Sequence, residues 1–300
     1  MNRGILYAAS AYVIWGLLPL YWKALKLMPA QEILVQRMVW SFVFLGLVLT
    51  VRKQWQWLPR LREPRIFLTF LATSALLTAN WYIYIWAVNA GFIIESSLGY
   101  FITPLINVLM GVIFLRERPR PWQWAALSIA AAGVIYQTVS YGALPWIGLS
   151  LGFSFGTYGL LRKTAALGSL EGLSTEMGMM FIPAALFLIF LVGSGQSAFG
   201  DLDLARQVLL MLVGVVTAIP LLLFAAGARQ IPLVTLGVLQ YIAPTLQFLI
   251  GVWVYGETFT PIYQISYGLI WVALIVYTAE GFAESRRRAG IRRREKLQPA

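Results

Sequence analysis

Apolar residues run through this chain in ten long blocks, at 4–22, 33–51, 66–88, 96–115, 122–140, 144–161, 174–192, 207–226, 234–255 and 262–282. Each is close to the roughly 20 residues, about 30 Å at 1.5 Å per residue, that a helix needs to cross the hydrocarbon of a bilayer. The pattern predicts ten membrane-spanning helices. Most joints are short and carry turn residues, as at Lys26 to Pro29, Asn89 to Gly91 and Tyr141 to Pro145. Two connections are longer: 52–65 is rich in Arg and Lys, and 193–206 in Gly, Ser and Asp. The stretch after Phe282 is polar and basic and is expected to be frayed or disordered.

One segment occurs twice. Tyr100 to Pro121 returns 140 residues later, without a gap, as Gln240 to Pro261, identical at seven of 22 positions. Among these are Pro104 with Pro244, Gly111 with Gly251, Glu117 with Glu257 and Pro121 with Pro261. Arg116, Arg118 and Arg120 have become Gly256, Thr258 and Thr260. With a cytoplasmic N-terminus, 19 of the 23 Lys and Arg fall on the cytoplasmic side, three (Lys23, Lys26, Arg206) fall opposite, and Arg37 lies within the second span. This is the positive-inside pattern, and it places both termini in the cytoplasm. Five spans per half is an odd number, so the second half enters the membrane upside down, and the copied helix end loses its arginines because it faces the other side. The reading is an all-α integral membrane fold of ten transmembrane helices arranged as two inverted five-helix repeats. The first repeat covers 3–140 and the second 144–282, followed by a basic cytoplasmic tail, 283–300. Inverted repeats are the plan of many secondary transporters.

Composition narrows the chemistry. The chain is 59% hydrophobic and 12% charged, with mean hydropathy +0.74, more apolar surface than one soluble core of this size could hide. It has no cysteine and no histidine, which excludes disulfides, thiol chemistry and His-based metal or acid–base sites. The net charge of +11 sits in connections and tail, so it does not point to nucleic acid. Arg286–Arg288 and Arg292–Arg294 would meet anionic lipid headgroups, each charge contributing about 1 kcal/mol. Two overlapping GxSxG strings, Gly148–Gly152 and Gly152–Gly156, suit tight helix packing better than a nucleophilic serine, which would lack a histidine base. No phosphate-loop, zinc or dinucleotide motif is present. The expectation is a non-enzyme with no metal and no cofactor, in which protons are the candidate coupling ion and a small molecule is the substrate.

Polar side chains inside the spans carry the candidate chemistry. An ionised group at mid-membrane costs roughly 2.5–3.5 kcal/mol on insertion scales, so it lines a cavity or has a partner. At an offset of 139, Glu32 corresponds to Glu171 and Arg37 to Glu176. Opposite charges at pseudo-symmetric places make Glu32, Arg37 and Glu176 candidates for coupling or an ion pair; the alternative is that Arg37 snorkels or pairs locally. Trp81 and Tyr82, with Tyr84 and Trp86, form either an aromatic cavity wall or an interfacial belt. Glu95, at the head of the fourth span, either complements its own helix dipole or titrates in the cavity. Asn107 faces Gln247 across the repeat, and each amide either touches solute or bonds a neighbouring helix. Pro104 and Pro244 each remove one backbone hydrogen bond, and interrupted helices at matching places point to a transporter's site. Glu117 and Glu257 are expected to bond backbone donors in the turns before Pro121 and Pro261. The expected solute site is Arg37, Trp81, Tyr82, Glu95, Tyr100, Asn107, Gln240 and Tyr241, with helix breaks at Pro104 and Pro244.

These residues also carry a resemblance. Ala11-Tyr-Val-Ile-Trp-Gly16, Arg37 with Trp40-Ser41, Ile85-Trp-Ala-Val-Asn89, Glu95-Ser-Ser-Leu-Gly-Tyr-Phe101 and Phe114-Leu-Arg-Glu-Arg118 belong to the pattern, as do Tyr158-Gly-Leu-Leu-Arg-Lys163, Gln240-Tyr-Ile-Ala-Pro-Thr245 and Tyr255-Gly-Glu257. Over about residues 3–282 the chain resembles the EamA-type drug/metabolite transporter superfamily, and within it the RarD proteins. The resemblance implies a ten-helix permease of the bacterial inner membrane, with cavity walls from spans 1–4 and 6–9 and with spans 5 and 10 peripheral. Relatives export amino acids or other metabolites, and some are described as drug exporters. The functional expectation is a secondary transporter of a small metabolite or amphipathic drug by alternating access. The alternative is a passive channel or a lipid-handling membrane protein.

Overall fold

The computed structural model describes residues 3–25, 28–256 and 260–295. Glu257, the expected twin of Glu117, and Lys26 lie outside the described residues. The first half holds α1 (Arg3–Ala24), α2 (Ala30–Val51), α3 (Pro64–Asn89), α4 (Ile93–Phe114) and α5 (Pro121–Tyr141). The second holds α6 (Trp146–Thr164), α7 (Ser169–Gly193), α8 (Leu204–Ala228), α9 (Leu233–Gln240), α10 (Ile242–Tyr255) and α11 (Pro261–Glu295). Helices α9 and α10 form one crossing, so eleven helices give ten crossings, each on its apolar block. Eight crossings are long and apolar enough to span a membrane by length and composition. The other two are α5 and α6, the latter spending many positions on Gly and Ser and ending in Arg162-Lys163. Outward faces are as apolar as the core: Leu47, Val139, Ile182, Leu204 and Trp253 are all exposed, as a lipid solvent requires and water would penalise.

Helices pack across the halves more than within them, and the pattern survives exchange of the halves. Helix α4 lies against α6, and its counterpart α9–α10 lies against α1. Likewise α3 packs on α6 and α7, while α8 packs on α1 and α2. The pairs α2–α7, α4–α9 and α5–α11 map onto themselves, so the pseudo-two-fold axis passes between their members. The GxSxG strings serve this packing: a Cβ on Gly148 would sit 3.1 Å from the Gly99 nitrogen, and one on Gly156 would sit 2.6 Å from Ile106.

Two expectations are corrected. The second-half crossing is interrupted at Tyr241, between α9 and α10, three residues before Pro244. Its counterpart α4 runs unbroken from Ile93 to Phe114 through Pro104, so Pro104 is not a break. Helix α4 is clamped between α6 and α9, where its Pro104 carbonyl lies only 2.5 Å from where a Gly237 Cβ would be, and the Thr103 hydroxyl donates to the Gly99 carbonyl at 2.6 Å. The tail after Phe282 is helical as far as Glu295 rather than frayed, its Ala, Glu and Arg being good helix formers. Lys23, the exception to the charge pattern, rests over the Tyr255 ring, 3.9 Å from its centroid, a cation–π contact.

Candidate functional site

A cavity of about 220 Å³ opens between the halves. Its walls come from the second half of α1, the heads of α2, α4 and α6, the later part of α3, Leu221 of α8, and the residues around the α9–α10 break. Most of these stretches lie toward the end of the bundle away from the N-terminus, with Leu221, in the last third of α8, and Gln240, at the end of α9, at the deep end. Toward the N-terminal end the space is filled. Tyr12, Tyr158 and Phe224 are fully buried, with Tyr158 stacked on Phe224 at 6.0 Å and Tyr12 edge-on to it at 6.2 Å.

Beneath that aromatic floor lies an ion pair. Arg162 Nε stands 3.6 Å from Glu176 Oε1, both side chains fully buried. Tyr158 donates its hydroxyl to Glu176 Oε2 at 3.3 Å. Arg162 Nη2 donates to the Ser169 carbonyl at 3.1 Å, while its Nε and Nη1 have no hydrogen-bond partner among the described residues. Around this pair, Lys163 donates to the Ala228 carbonyl at 3.0 Å and to that of Ile231, the favourable place for a cation at a helix C-terminus. Arg229 returns the arrangement, donating to the Ala165 and Leu167 carbonyls at 2.7 and 2.8 Å.

Of the expected site residues, Arg37, Trp81, Tyr100, Gln240 and Pro244 line the cavity. Arg37 Nε donates to Thr217 Oγ1 at 3.2 Å, and its guanidinium lies over Trp81 and Trp22, 4.2 and 5.5 Å from their ring centroids. Asn107 sits below, donating to Gln240 Oε1 at 2.6 Å. At the repeat offset these two become Gln247 and Tyr100, and both of those line the open cavity. Tyr241 lies behind the wall, its hydroxyl donating to the Phe101 carbonyl at 3.2 Å. Tyr82 is 59% exposed on the outward face and belongs to the belt, not the wall.

The carboxylates are placed differently from their sequence roles. Glu95 accepts from the Ile147 backbone N–H at 2.8 Å and from the Tyr141 hydroxyl at 3.3 Å. It therefore caps α6 rather than its own helix, and it does not line the cavity. Glu117 accepts from the N–H groups of Leu233 and Val234 at 2.7 and 2.9 Å, capping α9 rather than the turn before Pro121. Glu32 accepts from the Ser197 hydroxyl at 2.6 Å and the Ala198 N–H at 2.9 Å, pinning the connection between α7 and α8. Glu176 pairs with Arg162, so the Arg37–Glu176 pair suggested by the 139 offset does not form. Its physical reason is reach: Arg162, one short turn before α7, already occupies the carboxylate. Span 7 contributes nothing to the lining, against expectation.

Sequence reasoning missed Thr217, Trp22 and the role of Arg162. Thr217 is a lone hydroxyl in an apolar span, and only the α2–α8 contact brings it to Arg37. Arg162 looked like an ordinary membrane-side marker because it neighbours Lys163.

A profile of the EamA-like transporter family matches residues 2–138. The chain is 46% identical over 281 residues to an uncharacterized transporter, YojE, of Bacillus subtilis, covering 92% of this chain and 94% of that one. It is 43% identical over 288 residues to the protein RarD of Streptomyces exfoliatus, covering 95% and 91%. A protein solved by crystallography superimposes with TM-score 0.72, covering 93% of this chain and 98% of its own at 18% identity, which shows a shared fold. With similarity of this extent running through both halves, the chain belongs to the RarD family of the EamA-type drug/metabolite transporter superfamily.

Proposed function

We propose that this membrane transporter is a secondary transporter that moves a small amphipathic solute by alternating access, with the central cavity as its binding site. One observation carries the reading: a cavity walled by both inverted halves is open in one half of the bundle and closed in the other by an aromatic floor over a buried ion pair. The charge distribution supports a cytoplasmic N-terminus, so the cavity faces the extracytoplasmic side of the inner membrane. The floor, not the caps, is the part that must open. Glu176 is the carboxylate in that floor and is proposed as the proton-responsive group. Its protonation would release Arg162 and Tyr158 together.

The absence of native cysteine makes a direct test available. Leu221, buried and at the cavity's deep end, is replaced by cysteine in the full chain, and a membrane-impermeant thiol reagent is applied from either face. Alternating access expects labelling from both faces, with a faster rate from the extracytoplasmic side. Labelling from one face alone would sink the proposal. Labelling from both faces together with non-saturating solute flux would assign a passive channel instead.

A further inference from the structure

We infer that the solute carries a single negative charge, a monocarboxylate on an apolar ring-bearing body, with Arg37 as the residue that binds it. This rests on the transporter reading and adds the class of solute to it.

Arg37 is the one charged side chain among the described residues that line the cavity. Its Nε is committed to Thr217 and its flat face to Trp81. Among the described residues its two Nη groups have no hydrogen-bond partner, and it makes no salt bridge. The other arginines that reach into the protein are compensated: Arg162 by Glu176, Arg120 by Glu280, Arg229 by two carbonyls. The carboxylates expected in the site are occupied elsewhere, Glu32 by Ser197 and Ala198, Glu95 by Ile147 and Tyr141, Glu176 by Arg162 and Tyr158. Among the described residues no internal counter-ion is left for Arg37. A guanidinium held inside a membrane without one is costly, and its attraction to the indole faces offsets only part of that cost.

The geometry suits a carboxylate. A guanidinium with one edge fixed and a face stacked presents its remaining N–H groups as a planar fork, which matches two carboxylate oxygens. Tyr84 and Tyr100 meet edge-on, 6.0 Å between ring centroids, and lie within electrostatic reach of the guanidinium, placing two phenols in the same cavity wall. The facing wall is apolar: Trp15 and Phe155 meet edge-on at 5.8 Å, with Leu18 and Leu151 beside them. Such a wall accepts a ring or a branched chain. Among the described residues no acidic side chain lines the cavity to receive an ammonium, and a second negative charge on the solute would find no second cation in that lining.

The test measures binding to the purified full-length protein by calorimetry. The probes are benzoate, phenylacetate and 3-phenylpropionate, their primary amides, and the amines benzylamine and phenethylamine. At least one acid should bind saturably and at least tenfold more tightly than its amide, and the amines should bind most weakly. Arg37→Gln should remove the difference between acid and amide. Arg37→Lys should keep the preference for acid at lower affinity, since it keeps the charge and loses the fork. Thr217→Val is a second variant in case Arg37→Gln does not fold: releasing the fixed edge should weaken acid binding several-fold while the preference remains. Equal binding of acid and amide, a preference for amine, no saturable acid binding, or an Arg37→Gln protein that still discriminates would each overturn the inference. The cysteine accessibility experiment is indifferent to solute charge. Failure here leaves alternating access standing, whereas failure there removes both.

Discussion

Removing one partner of the Arg162–Glu176 pair should be costly and removing both should not. The two groups are fully buried with 3.6 Å between Nε and Oε1. At an effective dielectric constant near 20 that separation corresponds to about 4–5 kcal/mol of attraction. Glu176→Gln would leave the Arg162 guanidinium buried with a single hydrogen bond, to Ser169, beside the Phe70 ring at 5.5 Å. Arg162→Met would leave a buried Glu176 facing only neutral hydroxyls, that of Tyr158 at 3.3 Å and that of Thr73. Breaking a buried pair in this way typically costs about 3–5 kcal/mol, whereas replacing both partners with apolar or neutral groups of similar volume is near neutral. The double variant Arg162→Met with Glu176→Gln should therefore recover most of the loss. Thermal and denaturant unfolding of the detergent-purified full chain would supply the four corners of the cycle. A coupling energy below about 1 kcal/mol, with the single effects simply adding, would refute the ion-pair reasoning. The functional consequence is separate: Glu176→Gln should retain solute counterflow and lose dependence on a proton gradient, and undiminished gradient dependence would remove Glu176 from coupling.

Two further outcomes follow from the site. Glu95→Gln removes a charge from the α6 N-terminus and should cost about 0.5–2 kcal/mol of stability without altering the pH profile of transport; an altered profile would make Glu95 the titrating group and not a cap. A short thiol cross-linker between cysteines at 107 and 240 should trap the state described here, while one between 100 and 247 should trap the opposite state, read by which face labels a cavity cysteine. If both cross-links trap the same access state, the two sites are not alternates.

Much of the fold was legible because lipid imposes simple rules. A helix must be about 20 apolar residues long, and cations gather on one side, so block lengths and the loss of Arg116, Arg118 and Arg120 at 256, 258 and 260 were enough to give crossings and inversion. The site was less legible because sequence offset fixes where a residue sits along the pseudo-symmetry and not which group it meets. Arg37 was found because a charge in an apolar span is rare. Its partners were not, since Thr217 and Trp22 come from helices whose approach depends on small residues such as Gly214, where a Cβ would lie 2.2 Å from the Trp40 backbone. The carboxylates were misplaced for a related reason. A Glu beside a helix start reads as that helix's own cap, but Glu95 and Glu117 each serve the next helix over, a tertiary pairing with no local signature.

The departures from symmetry are also informative. Pro104 and Pro244 are equivalent in sequence, yet only the second half breaks, at Tyr241. Asn107 and Gln247 are equivalent amides, yet the first is bonded to Gln240 in the closed floor and the second lines the open cavity. If the halves were in the same conformation, the protein would be open to both sides or to neither. A transporter built from two inverted copies reaches its second state when each copy adopts the other's conformation. The α4 helix would then break near Phe101, α9 and α10 would join, and Gln247 would close on Tyr100 as Asn107 now closes on Gln240. The asymmetry between the copies thus has the form of the two-state element that alternating access needs. The proline of each copy sits where that change must occur because it has already given up the hydrogen bond that would resist it.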